Sequence, residues 1–151
     1  MEEAELNKFA TKLWVWVLIW TVGSTNLDGW EPFDEWLRDY MGENGLNVGL
    51  PGLGTVYDYY LDHKEVEFAK WEKIITPFQY VKGSSYFDLM VETVDTKRFS
   101  FVSEAFLGCM KPVFFTGLTG TGKTVVNQNM IRRLEPLPDE GGQGCVGLFV
   151  N

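Results

Sequence analysis

Residues Gly117–Thr124 read GLTGTGKT. Glycine at 117, 120 and 122 frees the backbone for tight turns and for close approach to a ligand, which a Cβ would obstruct. Lys123 and Thr124 complete the spacing GxxxxGK[ST]. In such a loop successive N–H groups form an anion nest, and the helix that follows adds its positive end. Lys123 is the contact for the β- and γ-phosphates of a nucleotide, and the Thr124 hydroxyl is the Mg²⁺ contact. The cofactor-binding set is Gly117, Thr119, Gly120, Thr121, Gly122, Lys123, Thr124 and Val125. The flanking sequence supplies the required context. An apolar strand is predicted over Val113–Phe115, and a helix from Gly122 to about Leu134. Val126, Met130, Ile131 and Leu134 form that helix's buried face, with Arg132 and Arg133 at its C-terminal end.

A cradle does not hydrolyse. Hydrolysis needs an acid at the end of a later strand to hold Mg²⁺, and a group that orients water. After the loop the apolar run is VGLFVN, which ends in Asn151 rather than Asp or Glu. The acidic residues upstream are in the wrong chain order. The expected fold class is therefore α/β, a truncated P-loop NTPase large subdomain preceded by a mostly helical segment. No catalytic residue is assigned, and ATP turnover by this chain alone is not expected.

The upstream sequence reads as helical material. A helix is expected over residues 2–22, with an acidic first turn (Glu2, Glu3, Glu5) and an apolar run, Leu13–Val22, that should be buried on most sides. That run is too short for a bilayer span, and the acidic start is wrong for a signal peptide. A second helix opens with Pro32 in its first turn and carries Phe33, Trp36, Leu37 and Tyr40, ending at Gly42 and Gly45. Leu46–Thr55 is a loop. VYDYYLD alternates as a strand would, whereas Phe68, Trp71 and Ile75 have helical spacing, so that stretch stays open between the two. Gly83-Ser84-Ser85 is a turn, and a short extended piece follows around Leu89–Val94. A further helix starts near Asp95 or Thr96, with Thr96 as its N-cap and Phe99, Val102, Phe106 and Leu107 on its apolar stripe. Lys111-Pro112 ends it.

The net charge of −8 argues against sequence-independent nucleic-acid binding, which needs a basic footprint. Cys109 and Cys145 have no metal-site spacing and read as reduced thiols, Cys145 as a small buried residue before a strand. His63 reads as a surface histidine. The carboxylates Glu65, Glu67, Asp88 and Glu92 read as a solvated face. The six Trp and eleven Phe read as core or as packing between modules.

VETVDTKRFSFVSEAFLGCMKPVFFTGLTGTGKT resembles the entry to one of the AAA+ modules of dynein heavy chains. Such modules often carry Val-Pro-Thr-x-Asp-Thr-x-Arg, a helix, a Lys-Pro-Val strand and Gly-Pro-Thr-Gly-Thr-Gly-Lys-[ST]. LIWTVGS, FDEWLRD and GTVYDYYLD are similar to the helical and linking stretches just upstream, and GLFVN to the start of a second strand. The register that fits best is the end of the second module (residues 1–45), a linking segment (46–85) and the N-terminal part of the third (86–151). The resemblance implies a ring of six modules that moves on microtubules, with a third module that binds ATP or ADP with Mg²⁺ and regulates the motor. It places Val91 and Thr93 at the adenine pocket. It implies the remaining AAA+ modules and dynein complex subunits as partners, no direct microtubule contact from this segment, and a cytoskeletal location in cytoplasm, cilium or axoneme. Two residues depart from the pattern. Leu118 stands in place of a frequent Pro in the loop, and Glu92 in place of the Pro before the helix. A stand-alone P-loop protein and a non-catalytic interaction fragment are the alternative readings.

Overall fold

The computed structural model of the chain describes residues 3–25, 27–80, 82–83 and 91–135. They belong to two compact units, one running to Ile74 and the other starting at Ile75. The first unit holds helix α1 (Glu3–Thr21), helix α2 (Trp30–Glu43) and an antiparallel hairpin of β1 (Tyr59–Asp62) and β2 (Glu67–Lys70), with short 3₁₀ turns between them. The second holds α3 (Val94–Gly108) and α4 (Lys123–Leu134).

Aromatic packing organises the first unit. Val15, Trp16, Ile19 and Trp20 of α1 are buried at helical spacing. The Trp20 ring meets Tyr57 edge-on at 5.9 Å, Trp71 at 6.1 Å and Trp30 at 6.4 Å. Trp30 in turn stacks on Tyr57 at 4.3 Å. Edge-on and offset contacts suit the ring quadrupoles, and each adds to the large area that such rings bury. Trp71 is fully buried, and its indole N–H donates to the Tyr57 carbonyl at 2.8 Å. Burial, with Asp34 adding to it, pushes the Tyr57 hydroxyl up to about 12. Gly23 follows α1 because nothing larger fits. A Cβ there would lie 2.5 Å from both the Phe33 ring and the Tyr57 hydroxyl.

The opposite side of α1 differs from expectation. Leu13, Trp14 and Val17 are exposed, Trp14 by 67%. The apolar run goes around the helix, but hairpin and turns supply partners for one side only.

A buried carboxylate holds the loop after α2. Asp34 accepts from Arg38 Nε at 3.0 Å and from the Val56 N–H at 2.8 Å. Arg38 reaches on to the Pro51 carbonyl at 2.8 Å. The stretch that sequence leaves open is extended: Tyr60 pairs with Ala69, and Leu61 with Phe68. The Phe68–Trp71 spacing has no helix behind it, because Trp71 has already turned into a 3₁₀ segment after β2. Short aromatic stretches separated by a turn gain more by pairing than by winding a brief helix. Lys12 is buried beside the hairpin turn, with its ammonium on the Val66 carbonyl at 2.9 Å and over the Phe68 ring at 5.7 Å.

In the second unit α3 begins one turn earlier than its expected cap. Thr93 is the N-cap: its hydroxyl accepts the Thr96 N–H at 3.2 Å, and Thr96 Oγ1 accepts the Thr93 N–H at 2.8 Å. Thr96, expected at the cap, is the third helical residue of this reciprocal box. Val126, Met130 and Leu134 of α4 are buried, whereas Ile131 is half-buried. Val113–Phe115 forms no strand, and Phe114 is 90% exposed. A strand is completed by a neighbour's hydrogen bonds, and no described residue offers that segment one. The expected turn at Ser84-Ser85, the extended residues Leu89 and Met90, and CVGLFVN lie outside the described residues.

Both α2 and α3 close with the same C-terminal device. Leu46 N–H bonds to the Met41 carbonyl at 2.8 Å and Gly45 N–H to Gly42 at 3.2 Å. Lys111 N–H bonds to Phe106 at 2.9 Å and Met110 N–H to Leu107 at 2.8 Å. The pivot residue is left-handed in each, Gly45 at φ 65° and Met110 at φ 57°. Glycine adopts that conformation freely, but a side chain there costs about 1 kcal/mol. Gly45→Ala is expected to destabilise the first unit by about 1 kcal/mol, and Met110→Gly to stabilise the second by a similar amount. All six Trp lie at or before Trp71. Tryptophan fluorescence during urea unfolding therefore reads the first change, and hydrogen exchange of the α3 amides reads the second.

Candidate functional site

The glycine loop leads directly into α4. Gly117, Gly120 and Gly122 all have positive φ, at 147°, 85° and 80°. Gly122 is the residue that caps α4 in left-handed conformation, so Lys123 and Thr124 stand in its first turn. The Lys123 ammonium folds back onto the loop. It donates to the Gly117 carbonyl at 2.9 Å, to the Leu118 carbonyl and to Thr121 Oγ1 at 3.2 Å. Thr121 Oγ1 also donates to the Leu118 carbonyl at 2.9 Å. The lysine thereby draws the loop into a ring around one positive charge.

The loop's own donors remain unused. No backbone N–H from Gly117 to Gly122 finds an acceptor among the described residues. Thr119, Gly120, Thr124 and Val125 are exposed, and a Cβ on Gly120 or Gly122 would meet nothing within 4 Å. Free N–H groups at a helix N-terminus beside an ammonium suit a phosphate chain. The Thr124 hydroxyl in the same turn is exposed, and would be the side-chain oxygen on offer to a divalent cation there. Among the described residues, no group of three or more His, Cys, Asp or Glu side chains could hold a metal by itself.

Val91 and Thr93 sit at the entry to α3. Val91 is 57% exposed, and the Thr93 hydroxyl is engaged in the helix cap. No hydrogen bond or ion pair joins either residue to Gly117–Val125. What links this entry segment to α4 is Glu92, read from sequence as part of a solvated face. It is instead mostly buried. Its Oε2 accepts the Thr76 N–H at 2.8 Å, and its Oε1 lies 3.2 Å from the Lys97 ammonium and 3.5 Å from Arg133 in the last turn of α4. Arg133 also pairs with Glu104 of α3 at 2.5 Å. Burial pushes the Glu92 carboxyl up, but the Thr76 N–H and Lys97 outweigh it and leave it below the usual glutamate value. Lys97, one turn into the helix that Glu92 precedes, was the legible half of this network. Arg133, far along the chain, was not. His63 and Cys109 are exposed, as are Glu65 and Glu67.

A left-handed glycine loop wrapped on the lysine that opens a helix is the hallmark of P-loop modules. Residues 78–138 match the P-loop containing dynein motor region, and residues 1–73 match the dynein heavy chain AAA lid domain. The chain is 28% identical over 152 residues to dynein axonemal heavy chain 6 of Homo sapiens, an alignment covering 100% of the chain and 4% of that protein. It is 32% identical over 140 residues to dynein axonemal heavy chain 1 of Mus musculus, covering 82% of the chain and 3% of that protein. With the flagellar outer arm dynein beta chain of Chlamydomonas reinhardtii the identity is 35% over 89 residues, covering 59% of the chain and 2% of that protein. The chain belongs to the dynein heavy chain family, and spans a few per cent of the length of these relatives.

The lowered Glu92 carboxyl has a pH consequence. Its contribution to stability is fully present above the ordinary value of 4.5 and is lost as pH falls through the lowered one. At neutral pH Glu92→Gln is expected to loosen α3 and α4 by about 1–2 kcal/mol. The gap to the unsubstituted chain should begin to close below pH 4.5 and vanish once pH has fallen through the lowered value, where both carry a neutral side chain. Hydrogen exchange of the α3 and α4 amides across that range measures it.

Proposed function

We propose that residues 117–125 bind ATP or ADP with Mg²⁺, as the nucleotide site of a regulatory AAA+ module in a dynein motor. The observation that carries this reading is the loop itself. Three left-handed glycines leave its N–H groups without acceptors, around an ammonium that already sits among the loop carbonyls. Lys123 reaches the phosphates, Thr124 holds Mg²⁺, and Gly117, Thr119, Gly120, Thr121, Gly122 and Val125 supply the backbone cradle. Val91 and Thr93 border the base.

In this reading the chain is a truncated AAA+ large subdomain preceded by the lid of the module before it, in the register of the second and third modules. The parts are a helical segment (1–45), a linking segment (46–85) and the start of the P-loop domain (86–151). No apolar run ending in an acid follows the loop in this sequence, so the chain binds nucleotide without hydrolysing it alone. Its partners are the other AAA+ modules and the subunits of a dynein complex, with no microtubule contact from this segment. Its place is the cytoskeleton of cilium or axoneme, in keeping with the axonemal and flagellar names of the relatives. The exposed face of α1 (Leu13, Trp14, Val17) supports a second role for the first unit, as a surface that packs against neighbouring parts of a longer motor.

The test is equilibrium binding of Mg-ATP to the chain and to Lys123→Ala, with phosphate release followed in the same samples. Lys123→Ala is expected to weaken binding about 10–100-fold, the worth of a charge-assisted contact, with no turnover in either protein. Turnover that depends on Lys123 would overturn the non-hydrolytic part of the proposal. Equal binding by both proteins would overturn the site.

A further inference from the structure

We infer that the cleft beside the buried Lys12 in the first unit is a binding site for a small organic acid of one negative charge, with the Lys12 ammonium receiving its carboxylate. Every residue involved belongs to the first unit, so the site is independent of the glycine loop.

The cleft has a volume of ≈ 450 Å³, within the range that small ligands occupy. Its walls include Lys8, Thr11 and Lys12 of α1, Asn47 and Gly49 of the loop after α2, and Glu67 at the start of β2. Lys12 is only 6% exposed, and its ammonium rests on the Val66 carbonyl and over the Phe68 ring. Val66 presents that carbonyl from a left-handed conformation, φ 54°, which is costly for a β-branched residue. A strained turn thus meets the lysine with an oxygen but not with a charge.

What the ammonium lacks is a counter-charge. Among the described residues, no carboxylate lies within ion-pair distance of Lys12 or Lys8. A buried charge is stable when it is paired, and one carbonyl and one ring do not pair it. Lys8, one turn earlier on the same helix, adds a second positive charge to the wall instead of relieving the first. Burial, with Lys8 adding to it, holds Lys12 below the ordinary lysine value, and Glu67 pulls the other way without reaching ion-pair distance. Gly49 keeps the approach open. It is left-handed at φ 72°, its N–H donates to the Asn47 side-chain oxygen at 3.0 Å, and a Cβ there would stand 3.6 Å from the ammonium. Two lysines and one glutamate then set the ligand's charge. A single carboxylate answers the lysines. Glu67 disfavours further negative charge and suits a donor at the ligand's other end, an ammonium or a hydroxyl. A short amino acid or hydroxy acid meets these demands, and inorganic phosphate does not.

The test is a titration of the chain with γ-aminobutyrate, butyrate and inorganic phosphate, read by amide chemical shifts. γ-Aminobutyrate is expected to give saturable shifts centred on Lys12, Val48, Gly49 and Glu67. Butyrate, which lacks the donor, should bind about threefold more weakly, and phosphate about tenfold more weakly. Lys12→Met keeps the apolar stem and removes the charge, and is expected to weaken γ-aminobutyrate at least about tenfold. Lys8→Ala, at an exposed position, should weaken it about threefold with the fold intact. Tryptophan fluorescence confirms that each variant is folded. No saturable shift at these amides would overturn the inference, as would full affinity in folded Lys12→Met. Should Lys12→Met fail to fold, full affinity in Lys8→Ala would overturn it instead. Phosphate bound more tightly than both organic acids would overturn the ligand class. Glu67→Gln is expected to erase the preference for γ-aminobutyrate over butyrate, and a preference that survives it would overturn the part assigned to Glu67.

Discussion

The left-handed backbone at Gly117, Gly120 and Gly122 is the constraint on which the site depends. With those three turns in place, the Gly117 and Leu118 carbonyls converge on Lys123 and the loop's N–H groups are left without acceptors. A Cβ at Gly120 or Gly122 would strike nothing nearby. What a side chain would disturb at those positions is the φ angle itself, and beyond it the space a ligand would take. Lys123 does two jobs in sequence. Without an anion it neutralises the carbonyls that the tight turns crowd together. In the proposed reading, its charge is already where a phosphate chain would arrive.

The rest of the second unit holds that loop against a fixed frame. Val126, Met130 and Leu134 bury the inner face of α4, and the Glu92–Arg133–Glu104 network ties its far end to α3. The first unit uses a different principle. Its centre is a set of aromatic rings around Trp20, with a glycine where Phe33 and Tyr57 leave no room. Polar ties at Asp34 and Lys12 fasten the loop and the hairpin to the helices. Its one-sided burial of α1 leaves an apolar stripe that a longer motor would have material to cover.

The loop and the helix that follows it were legible from sequence, because the spacing of glycine, lysine and threonine is local and each residue has one geometric task. Helices α1 and α2 were legible for the same reason, through apolar spacing and Pro32. The hairpin was not, since Phe68 and Trp71 satisfy a helical period by chance and only pairing across the turn decides between the two. Thr96 was placed one turn late as a cap because Thr93 and Thr96 are chemically equivalent, and the box uses both. Glu92 was missed for a deeper reason. A carboxylate five residues before Lys97 looks like a surface residue until Arg133, from another helix, and the Thr76 amide close around it. The strand expected at Val113–Phe115 shows the converse limit: local apolar character provides a strand's residues but not its neighbours.

The central claim is that the loop's free N–H groups and Lys123 together receive a phosphate chain. Hydrogen exchange at the amides of residues 117–124, with and without Mg-ATP, tests it most directly. Slower exchange confined to those amides and to the first turn of α4, absent in Lys123→Ala, is the expected result. Unchanged exchange in the loop of a folded chain at saturating Mg-ATP would contradict it.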